Sequence, residues 1–507
     1  MNLFLLPPEV VDLIFQYIVL SRELSRVMRV RHVSRQFRNY IDDAIVYLRY
    51  LSRYVNAPCW VNHLPLPMEY KDQRRAWLSY LCTYFTRQAM RERSNVSLPG
   101  RLYRVAKALC EEDGDAGSEA ISTCLKSLIR LLASTTRTAD LFQEPTNQLA
   151  DGPDVDLEAD IAVAAVYLGR KAHLDRLLAE NEGLLRTVLG GFDISSPVFD
   201  SAFKAATRQG NLEMINFFLS GPMTANCQRD ILCGASLYGH RATFDFALEA
   251  RSISLPETDA QRRTNYDVPT VYNAIRDTPW PDQYERLAAI LGPDSDMFQP
   301  HHNGLDSWLT RSAAADKVEM VRYFLAKGAS PNPPDINTRH VRRRRAFRPL
   351  VRAIRYGSEA SAKILLDAGA DPNLCPPPRT ALMEAAWTRS VSMVKLLLDH
   401  GADVNDGRPP PIVLAVIKEH LAMFQLLRER GARLDTPETG GWAMALAKSH
   451  GLDSMVELLV SEGVEEDAVL HRVAWHDENQ WLYKHLWPVE QRYRLRSNGP
   501  PLREATP

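Results

Sequence analysis

The hydrophobic positions in the second half of the chain come in short bursts, each closed by the same polar punctuation. Between Val391 and His400, the residues Met393, Val394, Leu397 and Leu398 form an apolar stripe at helical spacing, and Gly-Ala-Asp-Val-Asn follows at 401–405. The closing phrase reads Gly-Ala-Ser-Pro-Asn at 328–332, Gly-Ala-Asp-Pro-Asn at 369–373 and Gly-Ala-Arg-Leu-Asp at 431–435, so its starts are separated by 41, 32 and 30 residues. A period near 30 residues predicts stacked supersecondary units rather than one globule. The unit is clearest at 378–405. Thr380 to Ala386 predicts a short helix, Arg389 and Ser390 a tight break, and Val391 to His400 a second helix. Gly401 suits a left-handed helix end, and Asp403 and Asn405 supply turn chemistry. The pair Ala385-Ala386 is small enough for two helices to approach closely.

This unit resembles the ankyrin repeat, whose pattern is a Thr-Pro-Leu-His start, an Ala-Ala pair, a turn, a Val-x-x-Leu-Leu helix and a Gly-Ala-Asp-x-Asn turn. Further copies fall at 305–332, 345–373, 408–435 and 438–466. Less regular ones cover Phe203 to Leu219, Gly234 to Leu248, 157–185 and 270–291. The resemblance therefore spans about 157–486 and implies an all-α solenoid of helix-turn-helix units with hairpin-like loops. No copy keeps the whole Thr-Pro-Leu-His tetrad: Thr380 has no Pro after it and Pro349 no Thr before it. In the family that tetrad ties neighbours together, so its erosion predicts weaker coupling between units.

A different pattern opens the chain. Val10, Leu13, Ile14, Tyr17 and Ile18 fall on one helical face behind Leu6-Pro7-Pro8-Glu9, with proline where a helix start favours it. Val33, Phe37, Tyr40 and Ile41 fit a second face. Together these segments resemble an F-box. That resemblance implies docking on the adaptor subunit of an SCF-type cullin–RING ubiquitin ligase through Leu6, Pro7, Glu9, Val10, Ile14, Ile18, Val33 and Phe37, with Ser34 and Arg35 also in the motif. The segment between Ile18 and Val33 is longer than the family's, and Phe37 stands where tryptophan is common. The alternative reading is a helical cap over the first repeat's apolar edge, which solenoids need.

The predicted organisation is a small F-box-like helical domain at 1–50, a helical spacer and linker at 51–156, degenerate ankyrin repeats at 157–300, ankyrin repeats at 301–486 and a tail at 487–507. Within the spacer, Glu111 to Ser118 is acidic and glycine-rich and reads as an exposed loop.

Composition narrows the function classes. The chain has 507 residues, is 45% hydrophobic and 24% charged, and carries a net charge of −1, so nucleic-acid binding by the chain as a whole is not expected. Seven cysteines without a C-x-x-C pair suit reduced thiols in a cytoplasmic or nuclear protein. No signal peptide or membrane span is expected from the hydropathy pattern. No phosphate loop, dinucleotide fingerprint, zinc-protease or nucleophile-elbow motif is present, so no enzymatic activity, cofactor or metal is expected. The adjacent His301 and His302 read as a solvated loop, and His240 as a structural turn residue.

One charge feature stands out. Ile336 to Ser358 holds eight arginines and no acidic residue, with Arg342, Arg343, Arg344 and Arg345 in the insertion that stretches one repeat spacing to 41. It reads as a nuclear-localisation segment, a site for an acidic partner, or a solvated loop. The ankyrin resemblance places the two residues after each small pair on the concave, partner-facing side: Arg355 and Tyr356, Trp387 and Thr388, Ile417 and Lys418. The combined expectation is a non-catalytic substrate receptor of the ubiquitin ligase, with the repeats holding a protein target and the N-terminal helices holding the adaptor and, through it, the cullin. A scaffold without a ligase role, in which the N-terminal helices only cap the array, is the alternative.

Overall fold

The structure is a computed structural model that describes residues 3, 6–20, 27, 33–48, 71–91, 97–135, 155–184, 194–196, 198–219, 225–249, 267–291, 304–333, 348–374 and 380–467. The chain divides into two compact units, Met1–Met68 with Gln73–Ser295, and Glu69–Asp72 with Asp296–Pro507.

The first unit begins with α1 (Pro8–Leu20) packed on α2 (Arg35–Tyr47). Ser34 caps α2 by accepting from the Phe37 amide. Phe15 is fully buried between the two helices, edge-on to Phe37 at 5.1 Å and stacked on Tyr40 at 5.0 Å. The core-facing positions of α1 are Val11, Phe15 and Val19. Of the face that the sequence groups together, Val10, Leu13 and Tyr17 are exposed, while Ile14 and Ile18 are half-buried. A stripe at i, i+4, i+8 through Phe15 outweighs the other because it alone meets the rings of α2.

Three longer helices follow, α3 (Lys71–Arg91), α4 (Leu98–Glu112) and α5 (Ser118–Thr135). Four helix pairs come next: α6 (Val155–Tyr167) with α7 (Lys171–Glu180), α8 (Ala202–Gln209) with α9 (Leu212–Phe218), α10 (Ala225–Tyr238) with α11 (Arg241–Glu249), and α12 (Asp267–Asp277) with α13 (Pro281–Leu291). The first helix of each pair packs on the first helix of the next, α6 on α8, α8 on α10 and α10 on α12. A two-residue hairpin, β1 (Ser195–Ser196) with β2 (Asp200–Ser201), leads into α8.

The second unit repeats the plan five times among the described residues. Its pairs are α14 (Leu305–Ala314) with α15 (Val318–Ala326), α16 (Pro349–Arg355) with α17 (Glu359–Asp367), α18 (Ala381–Trp387) with α19 (Val391–Asp399), α20 (Pro411–Ile417) with α21 (Leu421–Glu429), and α22 (Trp442–Ser449) with α23 (Asp453–Ser461). First helices again stack on first helices. Ala385, Ala386 and Ala415 are completely buried at these crossings, as small residues allow. The second helices bury a narrow stripe, such as Met393, Val394 and Leu397 in α19.

The coupling between neighbouring repeats of the second unit comes from a position that the eroded tetrad does not predict. Asn332 donates its side-chain N–H to the Gly369 carbonyl at 2.8 Å and accepts from the Asp371 amide at 2.9 Å. Asn373 does the same to Gly401 and Asp403, and Asn405 to Gly431 and Arg433. Each asparagine thus clamps the next turn by both ends of its amide. Of the tetrad, Thr380 alone works as a cap, accepting from the Met383 amide and donating to the Asp406 carbonyl. The start positions Arg348, Pro410 and Gly441 make no side-chain cap.

Candidate interaction surfaces

The inner turn of each pair in the second unit carries a residue with left-handed backbone: Asp316 (φ 54), Gly357 (φ 67), Arg389 (φ 64), Glu419 (φ 49) and Gly451 (φ 60). The two residues before each turn form parallel columns of side chains across the repeats. Arg355, Tyr356, Trp387, Thr388, Ile417 and Lys418 all occupy these columns and are all half-buried. The Lys418 ammonium sits 3.8 Å from the centre of the Trp387 ring, so the turn of one repeat is bridged to the next by a cation–π contact. Arg352 lies over the Tyr356 ring at 5.3 Å and donates to its hydroxyl at 3.2 Å. Arg355 reaches the next repeat and pairs with Glu384 at 2.9 Å. Glu384 is only 2% exposed, and a carboxylate so placed needs that partner. Thr388 turns inward, its hydroxyl donating to the Ala385 carbonyl.

Arg352, Glu384 and Arg389 were not among the partner-facing residues expected from the sequence, which placed Arg352 in the basic run and Arg389 at a tight break. Arg352 and Glu384 occupy equivalent register positions, immediately before Ala353-Ile354 and Ala385-Ala386, a column that the repeat register could have revealed. Arg342, Arg343, Arg344 and Arg345 lie outside the described residues, as do His301 and His302.

The second surface belongs to the first unit. Leu6, Ile14 and Ile18 are half-buried, while Pro7, Glu9 and Val10 are exposed. Val33 is 66% exposed, and Phe37 is half-buried because it packs on Phe15. The largest outward groups are Leu13, 64% exposed, and Tyr17, 72% exposed. With Val10 and Leu20 they fall at i, i+3, i+7 and i+10, a continuous apolar stripe along the outside of α1.

Residues 309–470 match the family model for ankyrin repeats in three overlapping copies, 309–408, 350–438 and 382–470. This part of the chain is an ankyrin array. No curated protein matches the chain. The ankyrin array is a protein–protein interaction module. The four helix pairs of the first unit lie outside the matched residues yet share the plan, with Gly169, Gly210 and Gly239 at left-handed inner turns. Among the described residues no cluster of His, Cys, Asp and Glu could hold a metal ion, and no helix is long and apolar enough to cross a membrane. The buried thiols Cys82, Cys110 and Cys124 are all raised in pKa by burial, Cys124 to about 12, which leaves them protonated and poorly nucleophilic.

Proposed function

We propose that the protein is a non-catalytic receptor in the cytoplasm or nucleus whose ankyrin array holds a target protein. In this reading its N-terminal helices tether an SCF-type adaptor and, through it, the cullin. Such a receptor acts by effective concentration, keeping its target close to the ligase. The observation that carries the adaptor half is the apolar stripe Val10, Leu13, Tyr17 and Leu20, turned away from the α1–α2 core beside the Leu6-Pro7 start. Apolar side chains of this size in one exposed row mark an interaction face. The test is affinity capture from a eukaryotic lysate with the full chain and with a Leu13→Asp/Tyr17→Asp variant. Both side chains are exposed, so the variant keeps the Phe15 core. Adaptor and cullin captured by the full chain and lost in the variant support the receptor reading.

A second reading rests on α3. Arg87 reaches across to α2, donating to Asp43 at 3.1 Å and to the Asn39 carbonyl at 3.3 Å. Contacts of this kind suit N-terminal helices that serve as a built-in cap, with the protein acting as a scaffold without a ligase. Capture of no adaptor by either bait favours that reading.

A further inference from the structure

We infer that the corner where α5 meets the inner turns of the first three repeat-like pairs takes an acidic segment of a protein partner, with an apolar residue seated on Leu237 and Tyr238 and carboxylates facing Arg130 and Arg208. This is a second protein-binding surface, outside the matched ankyrin array, and it stands without the ligase role.

The apolar part follows from the repeat register. The residues just before Gly169, Gly210 and Gly239 are Tyr167-Leu168, Arg208-Gln209 and Leu237-Tyr238. Because α6 stacks on α8 and α8 on α10, these three turns lie side by side. Leu237 is 58% and Tyr238 41% exposed, and among the described residues they are the large apolar side chains left exposed in the four helix pairs of this unit. In the ankyrin array the same columns are half-buried and crossed by cation–ring contacts. Tyr238 is held open by His240, whose ring stacks on it at 6.4 Å and bonds the Arg208 carbonyl at 2.7 Å. Two adjacent apolar side chains fixed outward at a turn, beside the half-buried Tyr167 and Leu168, make an interaction face.

The charged part comes from neighbouring helices. Lys126 and Arg130 of α5 are exposed, and Lys204 and Arg208 of α8 are half-buried. Burial raises the pKa of the Tyr167 phenol and the Tyr238 phenol raises it further, while Arg130 and Arg208 lower it, so these four groups share one neighbourhood. Arg130 and Lys126 also act on the Cys82 thiol of α3, which burial keeps protonated and uncharged. Lys204 and Arg208 share one carboxylate, Asp200, at 3.3 and 3.6 Å. Among the described residues, one carboxylate is thus ion-paired with these four cations, and the corner is positive. The helices that supply the cations add little to offset them: α5 has Glu119 as its one acid, in its first turn, and α8 has none. A carboxylate placed between the two guanidinium groups gains charge-assisted hydrogen bonds, and an apolar residue beside it gains by covering Leu237 and Tyr238.

The experiment depletes a random dodecapeptide library on an Arg130→Glu/Leu237→Asp variant of the full chain. The remainder is selected on the unaltered full chain, and the enriched peptides are measured by fluorescence anisotropy. Expected are peptides in which Asp or Glu neighbours an apolar residue, with affinity that falls as salt rises. Arg130→Glu and Leu237→Asp, taken singly, each weaken them by about tenfold or more. Both side chains are exposed, so each variant keeps its melting temperature, and Tyr238→Ser repeats the test at a third exposed position. Lys418→Glu, on the ankyrin array, leaves the same peptides bound. The inference is overturned if no peptide survives the depletion, if basic or uncharged peptides are enriched, or if binding is lost in Lys418→Glu but kept in Arg130→Glu and Leu237→Asp. Tighter binding of a single-stranded oligonucleotide that Arg130→Glu abolishes overturns it as well.

Discussion

Gly210 shows how tightly single residues are constrained in the less regular repeats. Its backbone is left-handed at φ 67, and a Cβ there would lie 2.4 Å from Cγ of His240. His240 has little freedom to retreat, because its Nε2 donates to the Arg208 carbonyl at 2.7 Å. Gly210→Ala is therefore expected to cost about 1–2 kcal/mol for the backbone and a further ~1–3 kcal/mol for overpacking, read as a lowered melting temperature of the full chain. Two other histidines set a pH dependence. His173 and His420 are both lowered from the ordinary value of 6.5, each first by burial and then by an arginine, Arg170 and Arg389 respectively. His420 also caps α21, its Nδ1 accepting from the Met423 amide, which requires the neutral ring. A folded pKa below the unfolded one means that the folded chain binds fewer protons in this range. Stability from both groups is therefore fully present above about pH 6.5 and is lost as the pH falls through their lowered values. Melting temperatures measured from pH 7.5 down to 5 should fall, and His420→Asn, a cap that does not titrate, should flatten part of that slope. An unchanged slope in the variant would show that the cap is not the titrating element.

At the scale of elements, α4 is tied to the first repeat-like pair. The buried Asp160 of α6 is fully enclosed; it pairs with Arg101 of α4 and accepts from the Ser196 hydroxyl at 2.5 Å. The Ser196 oxygen in turn accepts from the Val198 and Phe199 amides and so holds the hairpin ahead of α8. Arg170 pairs with Asp113 at 2.8 Å, and Arg176 with Glu112. The acidic stretch that reads in the sequence as an exposed loop therefore supplies anchors: Glu112 ends α4 and Asp113 follows it. Glu112 and Asp113 have partners because Arg176 of α7 and Arg170 at its N-cap stand opposite, which no local pattern announces. Asp160→Asn leaves the Arg101 guanidinium without its countercharge in a buried site and is expected to cost about 3–5 kcal/mol. Denaturant titration of the full chain checks this. A loss under 1 kcal/mol would mean that water replaces the carboxylate.

On the scale of the whole chain, two units of repeated helix pairs differ in how their neighbours are tied. In the ankyrin array the clamps of Asn332, Asn373 and Asn405 contribute two hydrogen bonds per junction, together about 1–2 kcal/mol. The series ends at Asp435, a carboxylate without an N–H to donate. Hydrogen exchange is expected to be faster in α22 and α23 than in α18 to α21, and equal protection would show that core packing alone carries the coupling. Most of this architecture is legible in the chain. The Gly-Ala-x-x-Asn phrases, the alanine pairs and the apolar stripes are local and periodic, so they reveal the helix pairs of the ankyrin array, their turns and their stacking. The inner-turn columns follow from the same register, which places Trp387 and Lys418 in them. What register cannot convey is which side chains meet across repeats. The Lys418–Trp387 contact, the Arg355–Glu384 pair and the Asn clamps join residues 26 to 39 positions apart on different repeats, and they exist only once the helices are stacked. The facing of α1 belongs to the same class. Two apolar stripes run along that helix, and the rings of α2 select the one through Phe15, leaving Leu13 and Tyr17 outside.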